Sequence, residues 1–364
     1  MSLIPRFRIT VFLCSAFVGI ALQATTYQVV EGPRLGVARA YHTATPLADG
    51  TVLIAGGVNA DGVIATAEVV NPAKNRVDAT IPLGTARYRH TATLLPDGRV
   101  LIAGGINDAN VALASAEIYD PVKKEMHSVS PLNEARAMHT ASLLPDGSVL
   151  LVGGRDGAVL RKTCERFDPA TEHFGVVASL PEGRFDHTAT TLADGRIVIA
   201  GGTAYSFQKQ LGVGDVAVLV YSPDSRTFIS LPFAIRSKHV AVRLSDGTVY
   251  LKGGNNAGSN MIDVNAGKVT ANPFDAGYAW GLTATTLKDG TAFFCGGYWP
   301  FSTSDAGYFD YCIHYGGDNQ VIRNDFFARA GHTATLLSDG SSIFIAGGVT
   351  KTGPSDRTAV MGSK

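Results

Sequence analysis

Blocks of like charge are missing from this sequence: 31 lysines and arginines are matched by 31 aspartates and glutamates, for a formal net charge of zero. Without a basic face the chain has no electrostatic reason to seek nucleic acid or an anionic membrane surface. Long apolar runs are scarce as well. The one near the N-terminus, from Ile9 to Ile20, falls well short of the ~20 residues that a spanning helix needs. Cysteine occurs four times and tryptophan twice. What the chain does have is 45% hydrophobic and 17% charged residues over 364 positions, a composition for a large folded core rather than for disorder.

The first residues, MSLIPRFRITVFLCSAFVGIALQA, have the layout of an export signal. Arg6 and Arg8 supply a positive start, an apolar stretch follows, and small residues place cleavage near 21–24. An uncleaved anchor is the competing reading, and the shortness of the apolar run argues against it. The expected mature unit is 25–364, a single domain with no transmembrane segment, secreted or periplasmic. Loss of Arg6 and Arg8 leaves a side-chain charge of about −2.

One stretch then recurs seven times. ARYRHTATLLPDGRVLIAGG at 86 has counterparts at 38, 135, 183, 235, 279 and 328, and the Asp-Gly pairs fall at Asp49, Asp97, Asp146, Asp194, Asp246, Asp289 and Asp339. The intervals are 48, 49, 48, 52, 43 and 50 residues, the period of a propeller or array. Within each unit two short apolar runs flank Asp-Gly, which suits a tight turn, and a Gly-Gly pair ends the second run. A third run, as in AEIYDP (116), stops at proline, and a fourth follows, as in KEMHSV (124). Four short antiparallel strands per unit make a propeller blade. The last unit lacks a fourth run after DRTAVMG (356), whereas TTYQVV (25) has the character of one. Residues 26–31 are therefore expected to complete the seventh blade and close the ring. The fold class is all-β: a seven-bladed propeller of four-stranded blades.

The joint pattern, with D-G and G-G seven times in register, R-x-x-H in six of the units and Y-D-P at 119, resembles the kelch-repeat β-propeller family, within the galactose-oxidase-like superfamily and of an exported bacterial type. The recurring histidines, His42, His90, His139, His187, His239 and His332, occupy one slot in different blades. A catalytic centre needs unlike groups converging, so these read as structural rather than as metal ligands. The superfamily's copper radical enzymes carry a copper-binding Tyr-His pair in an R-x-Y-H stretch, which Arg39-Ala40-Tyr41-His42 matches. The other members of that donor set, including a Cys–Tyr pairing, find no counterpart. No cofactor and no metal site is expected.

Function should sit where the repeat breaks. The loops joining strands two and three share a face with the links between blades. On that face blade four has the long segment 203–214, with Tyr205 and Phe207, and blade six carries Trp280, Tyr298, Trp299 and Phe301. Blade six also has Ala279 and Leu282 where other blades have Arg and His. Flat amphipathic rings on a rigid rim suit sugar rings or peptide. Arg39, Arg87 and Arg136 are expected to pair with Glu68, Glu117 and Glu165, while Leu219 and Ile262 fill the glutamate slot in blades four and five. Arg184 and Arg236 are thereby left as candidate carboxylate receivers near the channel mouth. Among the cysteines, Cys164 and Cys295 stand in alanine slots, and Cys295 and Cys312 are placed at opposite edges of blade six, too far apart for a disulfide. The leading expectation is an exported binding module for carbohydrate or a protein partner, without nucleic acid. The resemblance offers a sugar-modifying enzyme of mutarotase or epimerase type, with Arg184, Arg236 and Asp186 as available groups, as the alternative. A copper oxidase-like activity and a purely structural envelope or matrix role come after it.

Overall fold

The computed structural model describes residues 26–204, 217–233, 236–256, 258–272, 278–299, 307–316 and 319–363. The stretch read as an export signal and the segment containing Tyr205, Phe207 and most of the blade-four insertion lie outside them, as does Phe301. Seven antiparallel four-stranded sheets stand around an axis. Blade two is typical: Thr91–Leu94 lies innermost, then Val100–Ala103, Ala116–Asp120 and Glu125–Ser128. The seventh sheet runs Thr333–Leu336, Ile343–Ala346 and Thr358–Ser363, and its outer strand is Tyr27–Glu31 from the other end of the chain. Tyr27 pairs with Ser363 and Glu31 with Ala359. The expected ring closure is thus present, and innermost strands of neighbouring blades touch all the way around.

The sequence pattern of each strand follows its radial position. Second strands such as VLIA (52–55 and 100–103) are buried at every residue, because each blade is covered on both faces by its neighbours. Leu53, Ala55, Ala67 and Val69 of blade one pack against Val100, Ile102 and Tyr119 of blade two in one such layer. Inner strands are Thr/Ala-rich, where seven blades converge and only small side chains fit. Outer strands alternate, Arg76–Pro82 reading exposed and half-buried in turn. In the Asp-Gly turns the aspartate accepts from the backbone two residues on: Asp49 Oδ1 takes the N–H of Thr51 at 3.0 Å. The Gly-Gly pairs allow blades to close up. A Cβ on Gly56 would lie 2.8 Å from Cε1 of His90 in the next blade and closer still to the carbonyl of Arg87.

The repeated histidines tie blades together. His90 Nε2 meets Thr43 Oγ1 at 2.9 Å, and His42, His139, His187, His239 and His332 each meet a threonine of the preceding blade at 2.9–3.0 Å. Between blades five and six both partners change at once. Leu282 replaces histidine, Val240 replaces threonine, and the two join one apolar cluster. The loss of the repeat landmark in blade six is a polar pair exchanged for an apolar one. Burial keeps the imidazoles neutral, with the pKa of His42, His187, His239 and His332 lowered to about 3.

The arginine slot behaves as expected in blades one to three. Arg87 Nη2 lies 2.6 Å from Glu117 Oε1, and Glu117 also accepts from the backbone of Gly84 at 2.7 Å and Thr85 at 3.2 Å. Arg39–Glu68 and Arg136–Glu165 repeat the pattern. Arg184 and Arg236 correct the expectation of free groups at the mouth, since each is only 1% exposed. Arg184 donates to the carbonyls of Gly201 and Ala217. Arg236 donates to Gly253 O, Asn256 O and Asn260 Oδ1. Asn260, opposite Leu251 as Glu68 is opposite Ile54, holds the glutamate position, not Ile262.

A second correction concerns the cysteines. Cys295 and Cys312 form a disulfide, with Cα atoms 4.1 Å apart. The third strand of blade six is Tyr311–Tyr315, so Cys312 lies within it, second from its start, rather than following it. An antiparallel return puts that residue directly opposite Cys295. Cys164 is a buried free thiol.

Candidate functional site

The residue just before each repeat histidine carries the site. At Tyr41, Arg89, Met138, Asp186 and Lys238 the backbone is left-handed, with φ between 53° and 56°, and in blades six and seven the same position is Gly281 and Gly331. Non-glycine residues resist this conformation. Here five blades adopt it in register, each in the link above an inner strand, beside the axis. Backbone bonds join the positions into a partial hoop: Arg89 N donates to Tyr41 O, Met138 N to Arg89 O, Lys238 N to Asp186 O, and Tyr41 N to Gly331 O. The left-handed backbone is held in place by its surroundings on one rim.

The side chains line a cavity of about 270 Å³ at the channel mouth, formed by Tyr41, Arg89, Asp186, Lys238, Trp280 and Tyr298 with neighbouring backbone. Arg89 Cζ lies 4.5 Å from the Tyr41 ring centroid, and Lys238 Nζ is 3.7 Å above the Trp280 ring, both within cation–π range. Arg89 Nη1 stands 3.9 Å from Asp186 Oδ1, a contact too long for a hydrogen bond. Among the described residues the charged ends of Arg89, Asp186 and Lys238 make no hydrogen bond, and the buried Trp280 Nε1 has no acceptor. Burial raises the Asp186 carboxyl above its ordinary pKa, opposed by Arg89, Lys238 and Arg155. Burial likewise lowers the Lys238 ammonium, opposed by Asp186. Three cations surround one carboxylate, so the mouth holds a surplus of positive charge.

Of the residues singled out in the sequence, Trp280 and Tyr298 come together here, linked by paired backbone bonds of 3.0 Å and an edge-to-face contact at 5.9 Å between centroids. Tyr308 adjoins Tyr298 at 6.0 Å. Trp299 turns away, is 49% exposed, and does not line the mouth. Arg184 and Arg236 are inside the blades, as described above. Asp186 was among the groups available to an enzyme. In the sequence, Tyr41 stands out only through the resemblance to the copper enzymes, and nothing marks Arg89 or Lys238 by residue type alone. The repeat did contain a signal for them: just before the histidine slot, which holds His in six units and Leu282 in blade six, the residue runs Tyr, Arg, Met, Asp, Lys, Gly, Gly.

Comparison with known proteins agrees with the fold. Residues 87–133 match the family model of the Kelch motif. No curated protein matches the chain. Among solved structures it is similar to a fungal alcohol oxidase of the AA5 family in complex with copper, with a TM-score of 0.69 and 14% identity over 93% of this chain and 76% of that one. At that identity the likeness speaks for the fold. The molecule is a seven-bladed β-propeller with an axial cavity on its link face. Its match to the Kelch motif falls on residues 87–133, the second of the seven blades.

The side chains do not suit copper. His42 is buried, its Nε2 is bonded to Thr333 Oγ1 at 3.0 Å, and burial opposes charge on its ring. Tyr41 faces Arg89 rather than a second nitrogen donor, and Cys295 is consumed in the disulfide. No group of three His, Cys, Asp or Glu side chains among the described residues has metal-holding geometry.

Proposed function

We propose that this protein is an exported binding module that takes an acidic sugar at its channel mouth. The carrying observation is the set of charged groups that make no hydrogen bond among the described residues, Arg89, Lys238 and Asp186, fixed on left-handed backbone beside Trp280 and Tyr298. Aromatic rings suit the apolar face of a pyranose, and the surplus of two positive charges suits a carboxylate. Export rests on the N-terminal signal read from the sequence. Trp299, with Tyr205, Phe207 and Phe301 in segments outside the described residues, is available for a larger glycan or a protein carrying it. Among the described residues no helix is long and apolar enough to cross a membrane.

A second reading has one observation in its favour. Asp186, with its raised pKa, sits at the floor of the mouth beside a lysine with a lowered one, the arrangement of a proton-transferring pair. Ring opening of a bound sugar, as in a mutarotase, needs that transfer and nothing else from the protein. Titration with glucose and with glucuronate, followed by tryptophan emission, tests the binding reading. Glucuronate should give a saturable change that Trp280→Phe removes while Trp299 still reports. A flat response to both sugars refutes binding at the mouth. Anomer exchange by NMR, faster with wild type than with Asp186→Asn, separates enzyme from binder.

A further inference from the structure

A second cavity adjoins the mouth on the side of blades two to four. Its volume is about 510 Å³, and its walls are mostly apolar: Ile106, Ala112, Ala137, Leu160 and Phe185. The loops that form it are held by backbone bridges, Ile106 to Ala112, Ala137 to Arg155, and Phe185 to Thr203. Val111 and Val159, on those same loops, are 52% and 56% exposed. The valines extend the apolar surface around this concave site.

The two cavities are adjacent through two residues. Phe185 lines the apolar one and Asp186, next in the chain, lines the mouth. Consecutive Cα atoms are ~3.8 Å apart, so the compartments are separated by about the width of the backbone. Arg155 lines the apolar cavity with its guanidinium 4.9 Å from the Phe185 ring centroid, and it is close enough to act on the Asp186 carboxyl. The two linings therefore meet at the Phe185–Asp186 step of the chain, with the Arg155 cation beside it.

We infer that the ligand of the mouth is a glycoside of an acidic sugar whose apolar aglycone, an alkyl or aryl group, lies in this second cavity. The inference rests on the acidic-sugar reading above. The carboxylate is held by Arg89, Lys238 and Arg155, the pyranose lies against Trp280, and the aglycone passes Phe185 into the space among Ile106, Ala112 and Leu160.

Calorimetric titration of the mature chain with glucuronate, phenyl β-D-glucuronide and octyl β-D-glucuronide tests it, the last below its micellar concentration. Both glycosides should bind at least tenfold more tightly than glucuronate, since two buried methylenes suffice for that factor. Ala158→Trp should return the glycosides to the level of glucuronate and leave glucuronate unchanged; Ala158 is an exposed wall residue, so the indole can enter the cavity without disturbing the core. Equal affinity for all three, or a gain that survives Ala158→Trp, overturns the inference while leaving the acidic-sugar reading intact. If none of the three binds, that reading fails and the inference with it.

Discussion

The pair of residues that breaks the repeat between blades five and six supplies an experiment that the molecule has half performed. Elsewhere a buried histidine accepts or donates a hydrogen bond across the blade boundary, whereas there Leu282 and Val240 make an apolar contact. Consider Thr43 and His90, joined at 2.9 Å. His90 is 6% exposed and its Nδ1 already has no partner among the described residues. Thr43→Val removes the one bond the ring has, and stranding a buried donor or acceptor costs about 1–3 kcal/mol. His90→Leu leaves only a half-buried hydroxyl that water can reach, and should cost under about 1 kcal/mol by the same reasoning. Leucine has room, because Leu282 lies over Gly253 as His90 lies over Gly56. The double variant reproduces the native blade-five and blade-six pair and should lie within about 1 kcal/mol of wild type, a coupling of roughly 1–2 kcal/mol. Guanidinium unfolding of the four proteins, read as midpoint at constant m, measures it. Additive losses, with the double variant the least stable, would refute the view that polar and apolar pairs are interchangeable joints.

Three further outcomes follow from the same structure. Glu165→Leu leaves the fully buried Arg136 without its closest carboxylate and strands the backbone N–H groups of Asn133 and Glu134; a loss of about 3–5 kcal/mol is expected in denaturant unfolding, and a loss under 1 would show that Glu134 at 3.6 Å, Thr163 Oγ1 and the carbonyls of Gly153 and Thr163 satisfy the arginine without it. At Lys238, where φ is 56°, the glycine variant should be more stable than the alanine variant by about 1 kcal/mol, or ~1–2 °C in melting temperature for a chain of this length. Alanine proving the more stable would contradict the strained backbone. Acid should unfold the propeller early: the packed imidazoles are neutral, with folded pKa values of about 3 for His42, His187, His239 and His332 against the ordinary 6.5. Their contribution is complete above pH 6.5 and is withdrawn as pH falls from there toward 3, at up to ~1.4 kcal/mol per unit for each ring. Stability flat from pH 7 to 4 would show the rings to be accessible.

How far the fold could be read in advance depended on repetition. Seven copies of D-G and G-G fix strand boundaries to within a residue wherever the pattern holds, and the spare strand at 26–31 has a partner only if the ring closes. Blade six, where the landmarks fade, is where the strand reading slipped: taking its third strand to end before Cys312 put the cysteines at opposite edges, whereas a start at Tyr311 faces them directly. The arginines show a different limit. A missing glutamate at Leu219 is visible in the sequence, but the backbone carbonyls of Gly201 and Ala217 that take its place are not. The mouth itself was legible only in part. Aromatic crowding in blade six pointed to Trp280 and Tyr298, while Arg89 and Lys238 looked like ordinary surface charges, because left-handed backbone that aims them at the axis leaves no composition signal.

The central claim is that the cations of the channel mouth hold an acidic sugar, and the affinity for glucuronate of wild type, Lys238→Gly and Asp186→Asn tests it most directly. Calorimetric titration at pH 7 and low salt should show at least a tenfold loss for Lys238→Gly, which keeps the backbone conformation while removing a cation. Asp186→Asn removes the one opposing charge and should bind as tightly as wild type or more so. Unchanged affinity in Lys238→Gly, together with a loss in Asp186→Asn, would contradict the account.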